Sequence, residues 1–172
     1  MTAIPPDAMT AIPPLPEPVE RVARCLREAG AEARIEEFTA GTPTAKDAAD
    51  AIGCALEQIV KSLLFDCGDR FVLALVPGDR RADAGKVAKA ASVARARVAK
   101  GDQVQQMTGF EPGAVAPFPL KRVELVIGDR LLLQHHIVWI GAGSKRHMAG
   151  LTPQELFRVS RALTADIAQD IS

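Results

Sequence analysis

The chain has 172 residues, 48% of them apolar and 24% charged, and its 21 basic and 21 acidic side chains give a formal net charge of zero. That balance suits one domain with a sizeable core and excludes a largely disordered chain. It also excludes a global attraction to nucleic acid, so any such binding has to be local.

The cysteines, Cys25, Cys54 and Cys67, form no CxxC and no metal-ligand spacing. An odd count of this kind points to a reducing cytoplasm rather than to a disulfide framework. "MTAIPP" at 1–6 recurs at 9–14, so 1–17 reads as a Pro-rich flexible leader ahead of a domain over 18–172, with Met9 as an alternative start. The leader lacks the charged start and apolar run of a signal peptide, and no later segment reaches transmembrane length.

In chain order, Val19, Val22, Ala23, Cys25 and Leu26 recur at helical spacing before Gly30, which predicts an amphipathic helix. "ARIEEF" (33–38) reads as a strand. Residues 42–53 read as a helix, with a start signal at Thr44 and Asp47 and a stop at Gly53. "IVKSLLF" (59–65) and "RFVLALVP" (70–77) flank a Gly-containing turn, the pattern of a β-hairpin. A loop and short helix over 78–92 and a helix over 102–110 follow. The breaker-rich stretch 111–119 excludes regular structure. Strands are predicted at 122–128 and 136–143. A closing helix over 152–168 begins with Thr152 as N-cap and Pro153 in the first turn. The mixture, without a regular βαβ repeat, predicts an α+β or mixed α/β domain.

Lys61 is the one cation inside the first apolar strand. An ammonium there either snorkels to solvent on an edge strand, or stands at a cleft and holds a phosphate or carbonyl oxygen. "GAVAP", Gly113 to Pro117, is either a surface loop or a place where backbone groups approach a ligand closely. "GAGS" at 141–144 has the same two readings. His135 and His136 fall on opposite faces of a strand and make poor joint metal ligands, so these and His147 are assigned structural or surface roles. Cys54 and Cys67 read as small core residues rather than nucleophiles. Segment 80–101 carries a basic excess of six, against Asp83 alone, and Lys121, Arg122, Lys145 and Arg146 lie next to the small-residue loops. These residues form either a solvated face or a phosphate-tracking surface.

Taken together, "TxxDAAxAIG", "QIVKSLLF", "LALVPGD", "KVAKA", "TGFEPGAVAP" and "GAGS" resemble, in that order, the YbaK/ProX family of aminoacyl-tRNA deacylases, related to the editing domain of prolyl-tRNA synthetases. The likeness runs from about residue 18 to residue 168. It implies a single α+β domain with a central mixed, partly closed β-sheet flanked by helices. It also implies no metal or nucleotide cofactor, and hydrolysis of the ester joining a wrong amino acid to the tRNA 3′ end. The family lysine falls on Lys61, with Gly113 as its catalytic companion. Substrate binding falls on Ser62, Ala114, Val115, Ala116, Pro117, Asp129, Gly141, Gly143 and Ser144. The implied partners are the aminoacylated end and acceptor stem of tRNA, with a synthetase or elongation factor for delivery, and no membrane. The chain has no tyrosine, so Ile35 or Phe38 takes the place of the aromatic that several members carry on the early strand. Ser62 stands where some relatives have threonine. The competing class is a non-catalytic module holding an aminoacyl or nucleotide-like ligand in the same cleft.

Overall fold

A computed structural model describes residues 14–42 and 44–171. The repeated leader therefore lies almost wholly outside the described residues. Helix α1 spans Glu17–Glu28 and buries Val19, Val22, Ala23 and Leu26 on one face, as the helical spacing of those residues requires. Strand β1 (Arg34–Glu37) leads to α2 (Ala45–Ile52), where Thr44 Oγ1 accepts the Asp47 N–H and Gly53 closes the helix in the left-handed conformation.

The predicted hairpin is present as β2 (Val60–Asp66) and β3 (Phe71–Pro77), paired from Val60–Pro77 to Asp66–Phe71. Helix α3 (Ala84–Ala90), strand β4 (Arg97–Val98) and helix α4 (Gly101–Thr108) follow. After the irregular 111–119 stretch come β5 (Leu125–Asp129), β6 (Val138–Gly141), β7 (His147–Leu151), α5 (Pro153–Ser160) and β8 (Leu163–Ala165). The result is one mixed α/β domain with two sheets.

One sheet has the order β4-β2-β3-β5-β8, antiparallel around β2 and parallel from β3 through β5 to β8; the other is antiparallel, ordered β1-β7-β6. A parallel bridge between Ile59 and Trp139 joins them at one corner. Both faces of β3 are covered. Leu73 and Leu75 face the core that also takes Val22, Phe110, Ile140 and Leu156, while Val72, Ala74 and Val76 pack with Val87, Ala91 and Ile167. This is why its sequence is continuously apolar instead of alternating.

Two expectations are corrected. The closing helix ends at Ser160 and does not continue to 168, because Arg161 turns left-handed and Leu163–Ala165 join β5 as a parallel strand. Buried Ile167 and the pairing of backbone to β5 offer more than further helical turns would, so tertiary contacts override the helical pattern. Strand β7 carries no strand signal of its own in the sequence. Its "HMAGL" is short and mixes small and polar types, and the signal for it lies in its partners β1 and β6.

Candidate active site

The lysine strand is open where it matters. Strand β4 pairs with β2 only at Phe65 and Asp66, and the Leu64 C=O on that edge accepts the Ala99 N–H. Alternation then turns the N–H and C=O of Ser62 to the same edge, past the end of β4. A cavity of about 350 Å³ lies there, lined by Thr42, Thr44, Ala45, Ala48, Ile59, Val60, Lys61, Ser62, Leu63, Gly113, Val115, Gly141 and Met148. Its walls are largely apolar, and Ala48, Ile59 and Met148 belong to a packed cluster with Trp139, so the wall is backed by core.

Lys61 is half-buried, and its ammonium makes no hydrogen bond or ion pair among the described residues. Burial holds its ammonium below the ordinary lysine range, Arg81 lowers it further by like-charge repulsion, and Asp79 opposes both. Arg81 and Lys145 are exposed and likewise without an ion pair among the described residues. Lys145 reaches over the loop glycine, its Cε 3.6 Å from where a Cβ on Gly113 would stand. Lys61 lines the cavity, Arg81 lies close enough to repel it, and Lys145 lies beside Gly113 of the lining.

The Gly113–Pro117 loop supplies the facing wall. Gly113 has φ +84°, a conformation that L side chains rarely adopt. The Ala114 N–H is used by the Glu111 carbonyl at 3.0 Å, while the N–H groups of Gly113, Val115 and Ala116 have no intramolecular acceptor among the described residues. Ala114, Ala116 and Pro117 are buried behind the loop, leaving Gly113 and Val115 at the cavity. Gly141 holds the loop close, because a Cβ there would stand 2.8 Å from the Val115 carbonyl oxygen.

Lys61, Ser62, Gly113, Val115 and Gly141 are therefore brought together as the sequence suggests. The remaining candidates have other places. Gly143, φ +103°, lies against the Pro18 backbone at the start of α1. Ser144 Oγ shares a 2.6 Å hydrogen bond with His147 Nδ1 and accepts the Arg146 N–H, ordering the β6–β7 turn. Asp129 is not in the cavity lining. It is fully buried, and its carboxylate oxygens accept the N–H groups of Leu131, Ile167 and Ala168 at 2.8–2.9 Å. The Asp129 oxygens hold the Leu131 N–H and the backbone of the C-terminal segment, away from the cavity lining.

The long basic segment is thinner than its sequence suggests. Lys86 is held by Asp166 and Asp170, Arg80 lies near Asp79, and Arg97 pairs with Asp66. The wall formed by Thr42, Thr44, the α2 residues Ala45 and Ala48, and Met148 has no signal along the sequence. Small residues on a helix face look like ordinary packing until the cavity beside them is known. Burial raises the thiols of Cys25, Cys54 and Cys67, as for packing residues. Among the described residues no three His, Cys, Asp or Glu side chains gather as a metal site, and no helix is long and apolar enough to cross a membrane.

The sequence and the fold have parallels in known proteins. The chain is 34% identical over 127 residues to the uncharacterised protein YwhH of Bacillus subtilis, covering 73% of this chain and 80% of that one. It is 32% identical over 146 residues to the proline–tRNA ligase of Xanthomonas axonopodis pv. citri, covering 84% of this chain but 24% of the ligase. A crystal structure provisionally described as a trans-editing enzyme for prolyl-tRNA synthetase superposes with a TM-score of 0.85 at 34% identity, over 91% of this chain and all of that one. The family model of the aminoacyl-tRNA editing domain matches residues 39–159, and this chain belongs to that family.

Proposed function

We propose that the protein is a trans-editing deacylase that hydrolyses mischarged tRNA, in the first place tRNA-Pro carrying alanine, cysteine, serine, threonine or 2-aminobutyrate. The observation that carries this is the unpaired Lys61 ammonium at a small, apolar-walled cavity whose lining also includes Gly113 and Val115, loop residues whose N–H groups have no intramolecular acceptor among the described residues. The cavity is at the low end of the range for small-molecule sites. It has room for the aminoacyl end of a tRNA and not for the stem.

In this reading the wrong side chain enters between α2, Ile59 and Met148. The ester carbonyl oxygen faces the free N–H groups of the loop. A water adds to the carbonyl carbon, negative charge grows on the oxygen, and the loop N–H groups with the Lys61 cation stabilise it. The ester C–O bond then breaks, and the ribose oxygen leaves with a proton as the free hydroxyl of the tRNA end. Preorganised donors of this kind contribute about 3–4 kcal/mol each to a transition state. Arg81 and Lys145 are placed for the phosphates of the strand leading in, and a synthetase or elongation factor in the cytoplasm delivers the charged tRNA. Discrimination against larger side chains rests on fit, about 1–3 kcal/mol per methylene.

The test is hydrolysis of tRNA-Pro charged with each of the five amino acids, by wild type and by Lys61→Ala, with and without chelator. Selective turnover that collapses in the variant and survives chelation establishes the reading. A second reading has its own support: among the described residues the lining holds no carboxylate, imidazole or thiol. A site of that composition also suits a module that binds an aminoacyl end without turning it over. Retained binding with no hydrolysis of any charged tRNA would select it.

A further inference from the structure

Among the described residues Ser62 Oγ is the one buried side-chain oxygen or nitrogen without a hydrogen-bond partner, and Ser62 lines the cavity. The neighbouring hydroxyls are already used. Thr42 Oγ1 donates to the Lys145 carbonyl at 3.3 Å, and Thr44 Oγ1 donates to Asp47 Oδ2 at 2.7 Å while accepting the Asp47 N–H. Alternation along β2 turns the Ser62 side chain to the same face as Val60 and Leu64, into the core between the two sheets, and Lys61 to the other face. The cavity thus wraps the strand edge, with the cation on one side and, on the other, a single buried hydroxyl that has no partner.

A buried hydroxyl with no partner is costly to leave unsatisfied, and serine has one side-chain torsion with three staggered settings. We propose that this hydroxyl turns to the bound aminoacyl group and hydrogen-bonds its side chain, so that the site takes hydroxyl-bearing amino acids, serine and threonine, ahead of their deoxy counterparts. This rests on the editing reading above. The physical basis is that an apolar pocket discriminates weakly between isosteres, whereas a site with a polar group to satisfy rejects the ligand that lacks its match.

The substrates form two pairs that differ chiefly by a hydroxyl: serine against alanine, and threonine against 2-aminobutyrate. On tRNA-Pro charged with each, wild type is expected to favour the hydroxylated member by about tenfold or more in kcat/KM. Ser62→Ala should bring both ratios towards one, and Ser62→Thr, which keeps the hydroxyl, should retain them. Ser62→Ala leaves no orphaned partner behind, so it is expected to fold. Ratios near one in wild type, ratios that persist in Ser62→Ala, or an equal loss on all four substrates would overturn the inference while leaving the deacylase reading standing. The last result would place Ser62 against the α-amino group or ester common to all. No turnover of any substrate by wild type defeats the deacylase reading, and the inference with it.

Discussion

Gly141 on β6 and Val115 in the small-residue loop are in backbone contact, so close that a methyl group on Gly141 would lie 2.8 Å from the Val115 oxygen. The neighbour is a main-chain carbonyl and not the end of a flexible side chain, so only movement of the loop relieves the clash. Gly141→Ala is expected to cost about 1–3 kcal/mol of stability by overpacking. A loop displacement near 1 Å should lower kcat/KM by about a hundredfold. Urea unfolding and deacylation kinetics on the same preparation separate the two effects.

Lys61→Ala removes a cation that makes no ion pair among the described residues, so the fold should tolerate it. In the proposed mechanism kcat/KM falls by about 10²–10³, the loss seen when one transition-state donor is removed. A circular dichroism spectrum and melt like those of wild type, with activity at that reduced level, would support the role. Undiminished activity would refute it.

The pH dependence follows from the neighbours of Lys61. Burial first and Arg81 second hold its ammonium below the ordinary lysine range, against Asp79. The charged form is the working form, so activity is full below that lowered pKa and is lost as pH rises through it, sooner than with an ordinary lysine. Arg81→Gln should move the alkaline limb of kcat/KM to higher pH, and Asp79→Asn should move it lower. The midpoint is the readout, because Arg81 is also placed to meet phosphate and its loss can change the amplitude.

The same lowering has a consequence for stability with the opposite sign. The unfolded chain binds this proton more tightly than the folded one, so stability rises with pH between the folded and unfolded pKa values. At neutral pH the folded protein carries the cost of a half-buried charge. Lys61→Met should therefore raise the unfolding midpoint, which thermal melts at neutral pH would show, while its kcat/KM falls to about the level of Lys61→Ala.

Asp129 should behave in the reverse way. Asp129→Ala leaves the N–H groups of Leu131, Ile167 and Ala168 without their acceptor, at a cost of about 3 kcal/mol or more. Activity per folded molecule should be retained. Lost activity in a fully folded variant would return Asp129 to the substrate.

Local signals in the sequence foretold local structure. The hairpin was legible because two apolar β-branched runs flank a glycine turn, and α2 because Thr44, Asp47 and Gly53 cap it. The C-terminal helix was over-extended, because the pairing of Leu163–Ala165 to β5 is invisible along the chain. The site was legible in part. Lys61 and the Gly113–Pro117 loop stood out as a cation and a breaker cluster with no obvious structural need, but Asp129, Gly143 and Ser144 looked equivalent to them in one dimension.

What the sequence by itself determined is most of the elements, with β4, β7 and β8 as the exceptions, the family likeness, and the lysine and loop that any site would have to use. Those follow from periodicity, capping and residue type, which act over a few neighbouring positions. What only the tertiary structure decided is which candidates share a cavity, that Asp129 is an anchor, that α2 and Met148 form the pocket wall, and that the Ser62 hydroxyl has no partner. Each of these depends on contacts between segments far apart in the chain, and hydrogen bonding and burial at such contacts belong to the packed whole.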